Sequence, residues 1–138
     1  MYWESAVNGF KKGILTLLRL SKIVVPVYFF VTFLSFTPIL GKISDLFAPV
    51  MKVFGLPGQA SLPLILGNFV NLYAGLSAML SLSLTPKQAT ILAIMLSFSH
   101  SLFLETAVVK KVGVSSLVAI FVRGALAVIA GIIFNLLL

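Results

Sequence analysis

The chain has 138 residues, of which 60% are hydrophobic and 9% charged, with a mean hydropathy of +1.18. A soluble domain carries about 25% charged residues, so the composition excludes a water-soluble globular protein and specifies an integral membrane protein of one domain. The net charge of +7 is dispersed in small groups between apolar runs, where juxtamembrane lysines and arginines belong, which argues against nucleic acid as a partner.

Residues 1–22 contain YWESAVNGFKKGILTLLRLSK and have helical periodicity. At about 100° per residue, Glu4, Asn8, Lys11, Lys12, Arg19 and Lys22 fall within one sector, and Trp3, Phe10, Ile14, Leu17 and Leu18 cover the opposite side. A basic amphipathic helix of this kind is expected to lie in the headgroup layer; the alternative is the solvated face of a helix packed on protein. Residues 23–40, IVVPVYFFVTFLSFTPIL, carry no charge and approach the roughly 20 residues that cross a bilayer. They are expected to form the first span, with Pro26 in its first turn and Pro38 marking its end. No cleavable leader is expected, because this apolar run is long and no small-x-small cleavage site follows it. Residues 42–55, KISDLFAPVMKVFG, are amphipathic and expected to form a short surface helix broken at Pro49, and GLPGQASLP (55–63) a loop.

Residues 64–84, LILGNFVNLYAGLSAMLSLSL, admit two readings. Their length suits one crossing. Yet Gly67, Asn68, Asn71 and Gly75 weaken a helix where they cluster, which suits a re-entrant hairpin of two half-helices, tolerated at membrane depth only when buried or lining a wet cavity. TPKQ (85–88) is a turn and helix start, with Thr85 as cap and Pro86 in the first helical position. A span over 88–109 follows, ended by Lys110, Lys111 and Gly113, and a last span over 115–138 contains Arg123. A full crossing at 64–84 leaves five basic residues on the N-terminal side against four on the other. A hairpin changes this to six against three, an ordinary positive-inside bias with the N-terminus in the cytoplasm. The near-even count would instead allow dual insertion.

The chain has one histidine and three acidic residues, and SFSHSLFLETAVVKKVG (97–113) places His100 and Glu105 inside the third apolar segment. An ionisable group within a span costs at least about 2.5–3.5 kcal/mol on insertion scales, so it requires a partner or a wet cavity. Glu105 lies roughly 6 Å from its helix end and Arg123 roughly 13 Å into the next helix, at 1.5 Å per residue. Arginine can bridge that difference, so the two can form a structural ion pair. Ser97, Ser101 and Glu105 share one face of an ideal helix. His100 is about 140° round from Glu105, so the two converge only where the helix is broken or unwound between them. His100 is either a packing residue or a ligand-binding one. No serine–histidine–acid order, carboxylate pair, metal-ligand cluster or phosphate loop is present, and cysteine is absent altogether. Disulfides, iron–sulfur clusters and thiol catalysis are thereby excluded, and no catalytic residue, metal or other cofactor is expected.

A surface helix, a hairpin-like segment with GNFVN, then HSLFLETAVVKKVG, then a span with an embedded arginine: over residues 25–138 this pattern resembles the nucleoside-recognition, or Gate, family. That family includes repeats of concentrative nucleoside transporters, the membrane part of ferrous-iron transporter B, and spore maturation proteins A and B. The resemblance implies an all-α polytopic fold, one half of an inverted-repeat transporter, in which a re-entrant hairpin and a broken helix meet near the midplane. It places Gly67, Asn68 and Asn71 near the hairpin tip and Ser97, His100, Ser101 and Glu105 on the broken helix, as substrate-binding candidates. GNFVN lacks the glutamine and acidic residue of a sodium-coupled nucleoside tip, so nucleoside is not implied as the substrate.

Half of an inverted repeat needs a partner to cover helices broken at membrane depth. The expectation is therefore a homo-oligomer, such as an antiparallel dimer, or assembly with a related membrane chain, around a small polar solute in a bacterial inner membrane. The alternative is a non-transporting scaffold whose polar residues serve helix packing.

Overall fold

A computed structural model describes residues 2–110 and 113–138, apart from the side chains of Phe103 and Ala107; Lys111, counted in the charge balance, lies outside them. Seven α-helices and one 3₁₀ turn account for the described secondary structure, and three stretches (Tyr2–Ser35, Pro86–Thr106 and Ser116–Leu137) are long and apolar enough to cross a membrane. The protein is an all-α polytopic membrane protein.

Helix α1 runs unbroken from Tyr2 to Ser35. The expected division at residue 22 is therefore not a helix end: the change from polar to apolar composition alters the medium the helix suits, and no glycine or proline turn separates the two parts. Its first twenty residues bury neither face against the rest of the chain, with Trp3, Phe10 and Leu17 exposed beside the basic residues. Its last turns bury Val31 and Leu34. Near Pro26, whose ring removes one helical hydrogen bond, the Ser77 hydroxyl donates to the Val24 carbonyl at 2.6 Å.

Helix α2 spans Pro38–Lys52 and continues through Pro49, so the break expected there is absent. Its start also corrects the first span's expected end: Thr37 caps α2, accepting from the Ile39 amide at 3.4 Å, and Pro38 is its first residue rather than the close of α1. Pro at the first position costs nothing because its missing N–H has no helical partner. The chain then turns at Gly55 (φ +67°) and makes a 3₁₀ turn at Gly58–Ala60, where Gly58 lies directly on the Ser44 carbonyl with no room for a Cβ.

Segment 64–84 is not one helix. Helix α3 (Ser61–Phe69) and helix α4 (Leu72–Ser81) are separated by Val70 and Asn71, whose amides both donate to the Leu66 carbonyl, at 3.0 and 3.2 Å. Asn71 then caps α4, its Oδ1 accepting from the Ala74 amide at 2.9 Å. The two helices fold back to near backbone contact at Gly67 and Gly75. At 1.5 Å per residue α3 and α4 are about 14 and 15 Å long, each half of a hydrocarbon core of about 30 Å.

Helix α5 (Pro86–Ser99) opens on a capping box, in which the Gln88 amide donates to Thr85 Oγ1 and the Thr85 amide to Gln88 Oε1. The span expected over 88–109 is interrupted at His100 and Ser101; Ser101 is left-handed (φ 49°), and helix α6 (Leu102–Val109) begins after it. Helix α7 (Ser116–Leu137) closes the fold.

Asn135, near the end of α7, fixes which ends of these elements meet. Its Nδ2 donates to the Val53 carbonyl after α2, and its carbonyl accepts from Lys87 Nζ at the start of α5. The α3–α4 hairpin therefore leaves and returns at one end of the molecule. One apolar core joins Met51, Phe54 and Ala60 to Ile91, Met95 and Ala127, and Gly131 admits the Phe54 and Met95 side chains to it. A second holds Val31, Leu34 and Leu40 against Leu62, Ala78 and Leu82. Close packing of these side chains, rather than their removal from water, holds the hairpin between α1–α2 on one side and α5–α7 on the other.

Candidate functional site at the break between α5 and α6

The break brings His100 and Glu105 together. Had the helix continued, their side chains would point apart. The break at Ser101 instead sets His100 Nε2 3.1 Å from Glu105 Oε1. The other imidazole nitrogen, Nδ1, lies 2.8 Å from the Leu96 carbonyl, one turn back.

Arg123 reaches this point from α7. Its Nη2 is 2.8 Å from Glu105 Oε2 and also donates to the His100 carbonyl at 2.8 Å, while its Nε donates to the Phe98 carbonyl at 2.9 Å. A helix that stops leaves its last carbonyls without partners, and the planar guanidinium fork satisfies two of them while also pairing with the carboxylate. The surrounding dipoles agree with this placement. The cation lies at the C-terminal end of α5 and the carboxylate in the first turn of α6, the favourable ends for each.

The hairpin tip is tied to the same break. The Ser101 amide donates to the Gly67 carbonyl at 2.8 Å, and the Ser101 carbonyl accepts from the Glu105 amide at 3.0 Å. The extended ψ of His100 (150°) turns that amide out of the helix and toward α3.

Beside the tip lies a cavity of about 300 Å³ lined by Leu64, Asn68, Met95, Ser99, Gly124 and Ala127, among others. Asn68 Nδ2 donates to the Leu64 carbonyl at 2.7 Å, so the orientation of the amide is fixed: a carbonyl only accepts. Asn68 Oδ1 is left buried without a partner. Leaving such an acceptor unsatisfied costs about 1–3 kcal/mol, and such groups call for an explanation.

The candidates from sequence thus fall into three places. Asn68 lines the cavity. His100, Ser101 and Glu105 form the break with Arg123, and Gly67 supplies the carbonyl that joins the two. Asn71 and Ser97 belong to neither: Asn71 is occupied as the α4 cap, and Ser97 is exposed, its hydroxyl donating to the Ala93 carbonyl. The single face expected for Ser97, Ser101 and Glu105 does not exist, because the helix is interrupted between its first and third members. Sequence reasoning passed over Ser99, which is buried, bonded to the Met95 carbonyl and part of the cavity wall. Its signal was the alternation Ser97, Ser99, Ser101, which puts a hydroxyl on both sides of the helix.

A family model described as Gate, nucleoside recognition, matches residues 17–133. Over 129 residues, 94% of its length, the chain is 44% identical to a Bacillus subtilis (strain 168) protein described as the uncharacterized membrane protein YvoD. The chain spans 41% of that relative's length. No solved structure matches it.

Proposed function

The chain belongs to the Gate family of nucleoside-recognition membrane proteins, and from that premise we propose that it is a half-size transporter unit or solute-binding module. Its solute is small, largely apolar in shape and equipped with a hydrogen-bond donor. The observation that carries this reading is the cavity that adjoins the hairpin tip, among whose lining residues is Asn68, with its Oδ1 buried and unpartnered. A donor on the solute would satisfy that acceptor, while the apolar wall takes up the rest of its surface, the usual division of labour in a ligand pocket. In the membrane the α3–α4 pair is a re-entrant hairpin, entering and leaving on the side of Lys42 and Lys87, opposite a cytoplasmic N-terminus in a bacterial inner membrane.

A second unit completes the site. The side chains of His100, Arg123 and Glu105 are 26%, 21% and 44% exposed on the single chain. Arg123 is seven residues from the start of α7, about 11 Å into the span. Charges at that depth require cover by protein or water. A second copy, inverted in the membrane, or a related chain supplies that cover and encloses the pathway.

The second reading, a scaffold that moves nothing, draws support from Asn71, which is fully employed as a helix cap. Uptake by proteoliposomes separates the two, with labelled uridine and adenosine as probes. Gly124 lines the cavity and has open space where a Cβ would stand, so Gly124→Leu puts an apolar side chain at the cavity wall. We expect wild-type vesicles to accumulate at least one probe and Gly124→Leu to reduce this tenfold or more. Equal uptake by the two proteins refutes the assignment of the cavity. Absence of uptake by the wild type favours the scaffold. Single cysteines at Lys42, Lys87 and Lys110, in a chain that has none of its own, test the topology: 42 and 87 label from one face and 110 from the other.

A further inference from the structure

We propose that the outward face of α1 binds the headgroup of an anionic phospholipid, held between Lys11 and Lys12 on one side and Arg19 and Lys22 on the other. The proposal stands apart from the transporter reading and requires neither a solute nor a second copy.

It begins with a length. The structure ends α1 at Ser35 and gives Pro38 to α2, so the uncharged part of α1 is reduced to residues 23–35. At 1.5 Å per residue that is about 20 Å, against a hydrocarbon core of about 30 Å. The missing third can come only from the N-terminal side, because the chain turns into α2 after Thr37. With Ser35 at one boundary, the other falls about 20 residues back, near Leu15. Arg19 and Lys22 then lie roughly 6 and 10 Å inside the hydrocarbon, and Lys11 and Lys12 about 5 Å outside it. Charges at that depth are tolerated when long side chains carry them to the interface. Helical side chains lean toward the helix N-terminus, which for Arg19 and Lys22 is the direction of the nearer headgroups. All four cations converge on one layer.

The face they share is the one that α1 turns away from the protein. At about 100° per residue, the buried or half-buried Leu20, Val24, Val27, Val31 and Leu34 fill a sector of about 80°. The four cations, all exposed, fill a separate sector of about 100°, together with exposed Phe29, Phe30 and Phe33. Read from the N-terminus, this face carries cations and then aromatic rings, the order suited to a surface that passes from headgroups into acyl chains.

The anion does not come from the chain. Glu105 is held by Arg123, Asp45 lies on α2 beyond the other boundary, and Glu4 is two turns further out than Lys11 on the same helix. A parallel second copy would add four more cations at this level. An inverted copy would bring Asp45, but Lys42, Lys52 and Lys87 with it. Neither complements the face, whereas a phosphate in the headgroup layer does. Each lysine or arginine near an anionic membrane surface strengthens association about fivefold.

The test uses the full chain in vesicles. Trp3 is the only tryptophan, and Leu15 is exposed in the middle of the cation sector, between Lys12 and Arg19. Trp3→Phe combined with Leu15→Trp therefore puts a single fluorophore at the proposed site. In mixtures of phosphatidylcholine and phosphatidylglycerol, bromination of the acyl chains of one lipid or the other quenches it in proportion to that lipid's occupancy. We expect phosphatidylglycerol to be preferred roughly tenfold or more. Lys11→Gln with Lys12→Gln, both surface positions, should cut the preference at least about fivefold, and Arg19→Gln with Lys22→Gln should do the same. Lys42→Gln with Lys52→Gln, on the opposite membrane face, should leave it unchanged. Equal affinity for the two lipids overturns the proposal in the reporter protein alone, whether or not a charge variant folds. So does a preference that survives the loss of Lys11 and Lys12, or one that falls as far without Lys42 and Lys52. A fluorophore quenched by neither lipid shows a face covered by protein and overturns it as well.

Discussion

Replacement of Gly75 by alanine tests whether hairpin closure and the site are one mechanical unit. A Cβ at residue 75 would lie 2.8 Å from Gly67 Cα, 2.9 Å from the Pro63 carbonyl oxygen and 3.1 Å from the Gly67 nitrogen. All three are backbone atoms of α3, so no side chain can swing away to make room. Ordinary contact begins near 3.4 Å, and the helices must part by about 0.6 Å. Overpacking of this size costs about 1–3 kcal/mol. The added methyl presses α3 toward α5–α6, where Leu96 already lies against Gly67, so the 2.8 Å bond from the Ser101 amide to the Gly67 carbonyl must change its geometry.

Two other glycines calibrate the result. Gly67→Ala meets chiefly the end of the Leu96 side chain, at 2.5 Å, which can change rotamer and should cost about 1 kcal/mol. Gly41→Ala, in α2, meets nothing and should stabilise by up to about 1 kcal/mol through helix propensity. Unfolding by added SDS in mixed micelles measures all three. The order of stability should be Gly41→Ala, wild type, Gly67→Ala, Gly75→Ala, with the Ser101 amide NMR signal displaced in the last. A Gly75→Ala protein as stable as Gly41→Ala, with Ser101 unperturbed, would refute the backbone contact and the hairpin geometry with it.

Asn68→Leu removes the buried unpartnered acceptor along with one helical side-chain bond, so the protein should be equally stable or about 1 kcal/mol more so in the same micelle assay, while uptake is lost. Arg123→Lys keeps the charge but not the fork that holds the Phe98 and His100 carbonyls; SDS unfolding should show a loss of about 1–3 kcal/mol. Ser101→Gly retains the amide bond to Gly67 and relieves a left-handed L-residue, with an expected gain of about 1 kcal/mol in that assay.

The membrane class and the all-α fold were legible because they depend on composition and on the length of apolar runs, which no tertiary contact can override. Thr85, Pro86 and Gln88 announced the start of α5 for the same local reason. What composition could not settle was continuity. Lys22 and Pro49 stand where joints are expected, yet α1 and α2 pass through them: a shift of polarity does not bend a backbone, and a proline removes one bond while leaving the rest of the helix intact. The opposite error threatened at His100–Ser101. Neither residue is a glycine or proline, and the break there is sustained from outside, by Arg123 on two carbonyls and by Gly67 on an amide. Geometry alone could say that His100 and Glu105 meet only across an interruption. It could not supply the interruption.

That contrast bears on where function resides in this chain. A serine held at φ 49° in mid-span is disfavoured by about 1–3 kcal/mol, and nothing in the local sequence compensates for it. The compensation comes from three separate elements, α3, α6 and α7, each of which bonds to the break. An interruption maintained in this way is conditional: remove one of those bonds and the balance shifts toward a continuous α5–α6 helix, in which His100 and Glu105 turn apart and the hairpin tip loses its anchor. The strain at Ser101 therefore ties the shape of the break to contacts made by three other elements.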